Sequence, residues 1–258
     1  MNLAGFKAIC QQPMRRSIRV NTLKISLKAF LNLAKTNQWQ LEPIPWCEAG
    51  FWITREDENL SLGNTAEHQA GLFYIQEASS MLPVSALFHC FQAEEDCLLL
   101  DAASAPGSKT TQMAAMLQGK GAIVANEFSA SRVKVLSANL LRCGVTNAAV
   151  THFSAEIFGT WMSEQFDAIL LDAPCSGEGT LRKDPQALDN WSEQHVDEIS
   201  QLQSKLLESA LQALKPNGIL IYSTCTLNQQ ENQQVISRIA TKYPDSFSTI
   251  NLEQLFDH

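Results

Sequence analysis

Two cysteines and one aspartate, each set where a short apolar run gives way to a turn, carry the most chemistry in this 258-residue chain. Asp172 and Cys175 stand in Asp172-Ala-Pro-Cys-Ser-Gly-Glu-Gly-Thr180, directly after the run that begins at Phe166. Cys225 stands in Tyr222-Ser-Thr-Cys-Thr226, directly after another apolar run that begins at Gly218. A thiol is already partly ionised near neutral pH, and its thiolate is a strong nucleophile, so two such thiols beside a carboxylate suit covalent catalysis. A third turn, Asp101-Ala-Ala-Ser-Ala-Pro-Gly-Ser-Lys109, consists mostly of small residues and opens into a helical stretch. A ligand can touch backbone N–H groups at such a helix start. The turn is neither Gly-x-Gly-x-x-Gly nor the Gly-x-x-x-x-Gly-Lys-Ser/Thr phosphate loop, and its single glycine, Gly107, suits a nucleoside better than a dinucleotide. Glu127 closes the next apolar run, where an acid can hydrogen-bond ribose hydroxyls.

The elements that must position these residues follow a regular rhythm. Strands are expected at 98–101, 121–127, 148–152, 166–172 and 218–226, alternating with helices at 109–117, 129–142, 193–214 and 229–240. Ser129 caps one of these helices and Gly144 ends it. The long helix 193–214 presents Ile199, Leu202, Leu206, Leu207, Ala210 and Leu211 on one side. Such alternation means an α/β fold with a doubly wound parallel sheet, whose ligands sit at the carboxyl ends of its strands. Upstream, Ile18-Arg-Val-Asn-Thr alternates like a half-exposed strand, a short helix covers 27–34, and Gly50–Ile53 reads as another strand. Pro43 and Pro45 break the pattern between them, and Gly71–Gln76 is a short strand leading into a helix at 77–88. Residues 1–70 are therefore expected to form a small α+β region and 71–258 the large domain. Trp39, Trp46, Phe51 and Trp52 read as core packing rather than base stacking.

Bulk properties narrow the class. No apolar run is long enough to span a membrane, and no signal peptide is recognisable. Seven cysteines without a Cys-x-x-Cys pair suit reduced thiols in a cytoplasmic protein, with no disulfides. Scattered histidines argue against a zinc site, so no metal is expected. The net charge of −8 argues against nucleic acid, but its distribution does not. Residues 1–41 carry Lys7, Arg15, Arg16, Arg19, Lys24, Lys28 and Lys35 with no acid, which leaves about −15 for the remainder. Such asymmetry is the footprint of a segment that meets phosphates, centred on Arg15, Arg16 and Arg19.

Taken together, the three turns resemble the paired signatures and cofactor loop of the Sun-type RNA cytosine carbon-5 methyltransferases. Arg15-Arg-Ser-Ile-Arg-Val-Asn-Thr-Leu-Lys24 and Tyr74-Ile-Gln-Glu-Ala-Ser-Ser80 extend the similarity over nearly the whole chain, and within the family it is greatest to the RsmF-type bacterial enzymes acting on 16S ribosomal RNA. The resemblance implies a Rossmann-like S-adenosylmethionine-dependent sheet, an N-terminal region that recognises RNA, and ribosomal RNA as the partner, as naked RNA or in a particle. It implies cofactor contacts from Ala103, Ser104, Ala105, Pro106, Gly107, Ser108, Lys109, Glu127, Ser154 and Asp172. It implies Cys225 as nucleophile, Cys175 as the thiol that assists product release, and Asp172 and Lys109 in the active site. Arg182 and Lys183, just after the Cys175 turn, could bind target phosphates. The chemistry suits these groups: a thiolate adding to carbon 6 of cytosine makes carbon 5 nucleophilic enough to take a methyl group. Residue types alone leave open which thiol attacks, since a Pro-Cys thiol does so in DNA cytosine carbon-5 methyltransferases. Cys10, Cys47, Cys90, Cys97 and Cys143 are read as packing groups.

Two departures stand out. The family usually has an aspartate reading the adenine amino group where this chain has His152-Phe-Ser154, and a neutral acceptor is weaker than a carboxylate. The chain also stops at His258, short of the antiparallel strand and C-terminal RNA-binding domain expected of RsmF-type enzymes, as a fragment would. An amino-group methyltransferase would want Asn/Asp-Pro-Pro-aromatic at 172–175, which the chain lacks. A thiol hydrolase is disfavoured because no histidine neighbours either cysteine in sequence. A catalytically weakened or inactive RNA-binding or ribosome-assembly factor on the same fold is the alternative that Ser154 and the missing C-terminus keep open.

Overall fold

A computed structural model describes residues 3–10, 12–56, 59–183, 189 and 191–253 of the chain. In chain order the elements are α1 (Leu3–Cys10), β1 (Ser17–Val20), α2 (Leu27–Thr36), β2 (Trp39–Ile44), β3 (Cys47–Arg55), α3 (Ala66–Gln69), β4 (Phe73–Ile75), α4 (Ala78–Cys90), β5 (Leu98–Asp101) and α5 (Ser108–Leu117). They continue with β6 (Ala122–Asn126), α6 (Ala130–Cys143), β7 (Ala148–Thr151), α7 (Phe158–Trp161), β8 (Phe166–Asp172), α8 (Glu193–Ala213), β9 (Leu214–Ser223) and α9 (Gln233–Lys242).

The larger sheet is parallel throughout, in the order β7-β6-β5-β8-β9. Chain order therefore reverses between β5 and β8, whose following loops part to opposite sides and leave a crevice at their carboxyl ends. Central strands of such a sheet are buried on both faces, which is why Leu98–Leu100 and Ala168–Leu171 read as unbroken apolar runs. Their side chains still divide by pleat. Leu99, Ala168 and Leu170 pack with Val84 and Leu87 of α4 and Met113 and Leu117 of α5. Leu100, Ile169 and Leu171 pack with Leu206, Leu207 and Ala210 of α8 and Val235 and Ile239 of α9. Gly144, at φ 73°, closes α6 in the left-handed conformation, as expected of a glycine after a helix.

The smaller sheet is antiparallel, in the order β2-β3-β1-β4. It reaches past residue 70, because Phe73–Ile75 pairs with Ile18–Val20 as its edge strand and so joins the N-terminal unit. Residues 39–44 also form a strand despite Pro43. They lie at the opposite edge, where a missing N–H is tolerated, and the register slips at Pro43/Ile44. β1 is buried at all four residues rather than half-exposed, because its second face meets the large domain.

That contact consumes the sequence Arg19-Val-Asn-Thr-Leu-Lys24. Asn21 donates to the carbonyls of Gly71 and Cys143, each at 2.8 Å. Lys24 Nζ donates to Ala70 O at 2.9 Å and to Arg142 O at 2.7 Å, satisfying a carbonyl at the end of α6. α8 buries Val196, Ser200, Gln203, Leu206, Leu207 and Ala210, whereas Leu202, expected on its inner side, is exposed. The rotation brings Gln203 against the loop after β8, where its Nε2 meets Pro174 O at 2.8 Å. The segment 229–232 stays outside α9 and forms a turn. Residues 254–258, the end of the expected large domain, lie outside the described residues.

Candidate active site at the carboxyl edge of the parallel sheet

β5, β6, β7, β8 and β9 deliver all the sequence-identified cofactor and catalytic residues to one sheet edge. After β5 the chain turns tightly: Gly107 N donates to Ser104 O at 2.7 Å, and Gly107 sits at φ 102°, a conformation that favours glycine. α5 starts at the next residue, so Ser108 and Lys109 occupy its first turn. Ser104 and Ala105 are buried, Pro106 is exposed, and Ala103 is half-buried. Asp101 lies fully buried beneath this loop. Its Oδ2 accepts from Thr110 Oγ1 at 2.6 Å, its Oδ1 has no hydrogen-bond partner among the described residues, and burial pushes the carboxyl up to about 7.

Glu127, at the end of β6, is 3% exposed and faces the same loop. Its Oε2 accepts from Ala105 N at 3.3 Å and its Oε1 from Ser129 N at 2.8 Å. The loop after β7 is pinned beside it, since Asn126 Oδ1 accepts from Phe153 N at 3.1 Å. Ser154 follows, but its hydroxyl already accepts from Glu156 N, capping a short 3₁₀ turn.

Asp172 and Lys109 meet at the centre of the edge, with Lys109 Nζ 2.6 Å from Asp172 Oδ2. Ser223, at the end of β9, donates to Asp172 Oδ1 at 2.7 Å, and Ser80 of α4 lies 3.2 Å from Lys109 Nζ. Sequence reasoning gave neither serine a role, although both stand inside segments that carried the family resemblance. Cys175 and Cys225 lie sulfur to sulfur at 2.7 Å as free thiols, with Cys225 the exposed member. Cys225 N also points at Cys175 Sγ at 3.3 Å. The S–H of Cys175, donated to its partner, holds the Cys225 thiol below the ordinary range, and Cys175 is itself raised by that contact and by burial. Of the two sulfurs, the more exposed Cys225 is therefore the one whose ionisation the pairing eases. The other five cysteines are free thiols, buried or half-buried.

The basic residues fare less uniformly. Arg19 is only 2% exposed, which removes it from any phosphate-binding surface. It donates instead to Gln76 Oε1 at 2.9 Å and Thr111 Oγ1 at 2.7 Å, tying β1 to α5, and burial lowers its guanidinium to about 10. A run of charge in sequence does not reveal which face of a strand turns inward. Arg15 and Arg16 are exposed; Arg15 pairs with Glu42 and lies over the Trp52 ring at 4.4 Å. Arg182 donates to the backbone carbonyls of Gln12 and Pro13, and Lys183 pairs with Glu77 at 2.9 Å. Among the described residues no group of three or more His, Cys, Asp or Glu could hold a metal ion. No described helix is long and apolar enough to cross a membrane.

Comparison with known proteins returns two family matches. Residues 89–254 match the 16S rRNA methyltransferase RsmB/F family, and residues 2–78 match the N-terminal domain of 16S rRNA methyltransferase RsmF. A relative from Aeromonas hydrophila named ribosomal RNA small subunit methyltransferase F is 61% identical over 256 residues, covering 99% of this chain and 54% of the relative. One of the same name from Pectobacterium carotovorum is 62% identical over 257 residues, covering 99% and 53%. The chain thus spans about half the length of these curated relatives. A crystal structure of a methyltransferase homolog protein from Pyrococcus horikoshii superimposes with a TM-score of 0.79 at 38% identity, over 92% of this chain and 72% of that one. The structure of NSun6 from the same organism, with SFG, shares the fold at a TM-score of 0.78 and 23% identity, over 90% and 81%.

Proposed function

Since the chain belongs to the 16S rRNA methyltransferase RsmB/F family, we propose that it methylates carbon 5 of a cytosine in small-subunit ribosomal RNA through a covalent bond from Cys225 to carbon 6. The observation that carries this reading is the thiol pair, with the exposed Cys225 sulfur 2.7 Å from the Cys175 sulfur at the edge that also holds Lys109 and Asp172. S-adenosylmethionine, when bound, supplies an electrophilic methyl group. The residues at the edge fit such a cofactor. Ala103, Ser104, Ala105, Pro106, Gly107, Ser108 and Lys109 form a tight turn, with the Asp101 oxygen that has no hydrogen-bond partner among the described residues buried beneath it. Glu127 would take the ribose, Ser154 would stand towards the adenine, and Asp172 would face the methionine part and the cytosine amino edge.

In the reaction Cys225 acts as thiolate and adds to carbon 6, forming a carbon–sulfur bond and making carbon 5 nucleophilic. Once carbon 5 carries the methyl group, its proton must leave to a base. The electron pair of that C–H bond re-forms the ring double bond as the carbon–sulfur bond breaks. Cys175, holding its S–H against Cys225, stabilises the departing thiolate and so assists release. Lys109 holds Asp172 in place while the carboxylate favours ring protonation during thiolate addition. We further propose that the N-terminal unit serves RNA recognition, with Arg15, Arg16, Arg182 and Lys183 near phosphates. Incubation with ribosomal RNA and a labelled methyl donor, followed by nucleoside analysis, should yield labelled 5-methylcytidine. Label on an exocyclic nitrogen would refute the proposed chemistry, and no label at all would favour an RNA-binding or assembly role.

A further inference from the structure

Glu178 and Glu231 have no part in the chemistry above, yet they tie the two cysteine turns together in opposite directions. Glu178 belongs to the turn that carries Cys175. Its carboxylate accepts from the Cys225 turn: Thr226 Oγ1 at 3.0 Å, Leu227 N at 3.2 Å and Asn228 Nδ2 at 3.1 Å. Glu231 follows Cys225 and reaches back. Its Oε2 accepts from Ser176 N at 2.9 Å and from Gln203 Nε2 at 2.9 Å, and its Oε1 accepts from Asn228 Nδ2 at 2.6 Å. The hydroxyls of Ser176 and Thr226 meet at 3.1 Å, and Gly179 N donates to Cys225 O at 2.8 Å.

Glu231 is fully buried, and the hydrogen bonds it accepts come from amides and a backbone N–H. Burying a carboxylate is unfavourable, and apolar packing would stabilise the fold as well or better, so stability alone does not account for it. What it supplies is direction: acceptors that only one arrangement of the two turns can satisfy. We propose that Glu178 and Glu231 are positioning residues that lock the two turns in the register holding Cys175 Sγ against Cys225 Sγ, and thereby set the reactivity of the attacking sulfur. This rests on Cys225 being the nucleophile. The other charged groups acting on that sulfur are Asp172 and Lys109, which reach it from β8 and α5.

The test is Glu231→Gln and Glu178→Gln, each in the whole chain: both oxygens of each carboxylate accept, so a glutamine, with one acceptor oxygen, must turn its –NH₂ against one set of donors in either orientation. The readout is the pH profile of iodoacetamide alkylation at Cys225, followed on its peptide by mass spectrometry. The alkylation midpoint should move up by about one pH unit in either variant. In methyl transfer, kcat should fall by about a hundredfold with both KM values unchanged, as for a small misplacement of reacting groups. Glu178→Asp, which keeps the acceptors, should recover part of both. An unchanged alkylation profile in both glutamine variants overturns the proposal, even if activity falls. Should Glu231→Gln not fold, the half-exposed Glu178→Gln decides alone. Alkylation needs neither RNA nor methyl donor, so a wild-type chain that methylates nothing would defeat the proposed function while the clamp is still read.

Discussion

A thiolate at Cys225 needs a donor nearby, and the geometry offers the neighbouring thiol rather than a lysine, because Lys109 is engaged by Asp172. With its pKa depressed by that S–H, Cys225 stays ionised at lower pH than an ordinary thiol, and reactivity is lost only as pH falls through the depressed value. Cys175→Ala should therefore move the Cys225 alkylation midpoint upward, and an unmoved midpoint would remove Cys175 from that role. Asp101 makes the opposite prediction for stability. Its folded pKa of about 7 lies above the unfolded value of about 3.9. The unfolded chain thus ionises first, and stability declines as pH rises from about 4 to about 7, by about 4 kcal/mol in all. Denaturant melts of Asp101→Asn should lack that decline, making the variant the more stable protein at pH 8; parallel pH dependence in the two would contradict it. Both cysteines, Asp172 and Lys109 were legible in the sequence because each stands in a short signature at a strand end or helix start. Ser80 and Ser223 were not, since a serine that orients a charge carries no spacing signal of its own.

At the level of elements, the five parallel strands were legible from their apolar runs, and the reversal between β5 and β8 fixes where their loops open. β2 was missed because Pro43 argues against a strand unless the strand lies at an edge, which sequence does not disclose. The inner face of α8 was misread for a related reason. Gln203 and Ser200 are buried by polar partners, and hydrophobic periodicity counts only apolar ones. The cysteine turns depend on close backbone approach at Gly179, where a Cβ would stand 2.4 Å from Cys225 O. Gly179→Ala must therefore push the turns apart. Methyl transfer should drop by about a hundredfold, while stability, read by melting, changes by about 1 kcal/mol or less. Full activity in that variant would show that the spacing of the turns is not critical.

Across the whole molecule, the N-terminal sheet is joined to the catalytic domain through polar contacts that are buried at Arg19 and Asn21 and exposed at Lys24. Arg19→Ala would remove hydrogen bonds to Gln76 and Thr111 and leave a buried void, lowering stability by about 3 kcal/mol. It should leave the salt dependence of RNA binding unchanged once folded protein is compared. Arg16→Ala should instead lower the slope of log affinity against log salt by about 1 with little effect on melting. The reverse pattern would return Arg19 to the RNA surface. The N-terminal charge asymmetry was legible in composition, but its division between buried struts and exposed residues required the fold. The most direct test lies in trapping the covalent bond itself. Cys175→Ala, incubated with small-subunit ribosomal RNA and S-adenosylmethionine, should accumulate an RNA–protein adduct that mass spectrometry maps to Cys225 and a methylated cytosine. An adduct that forms with Cys225→Ala instead, or one mapped to another residue, would contradict the assignment of the nucleophile.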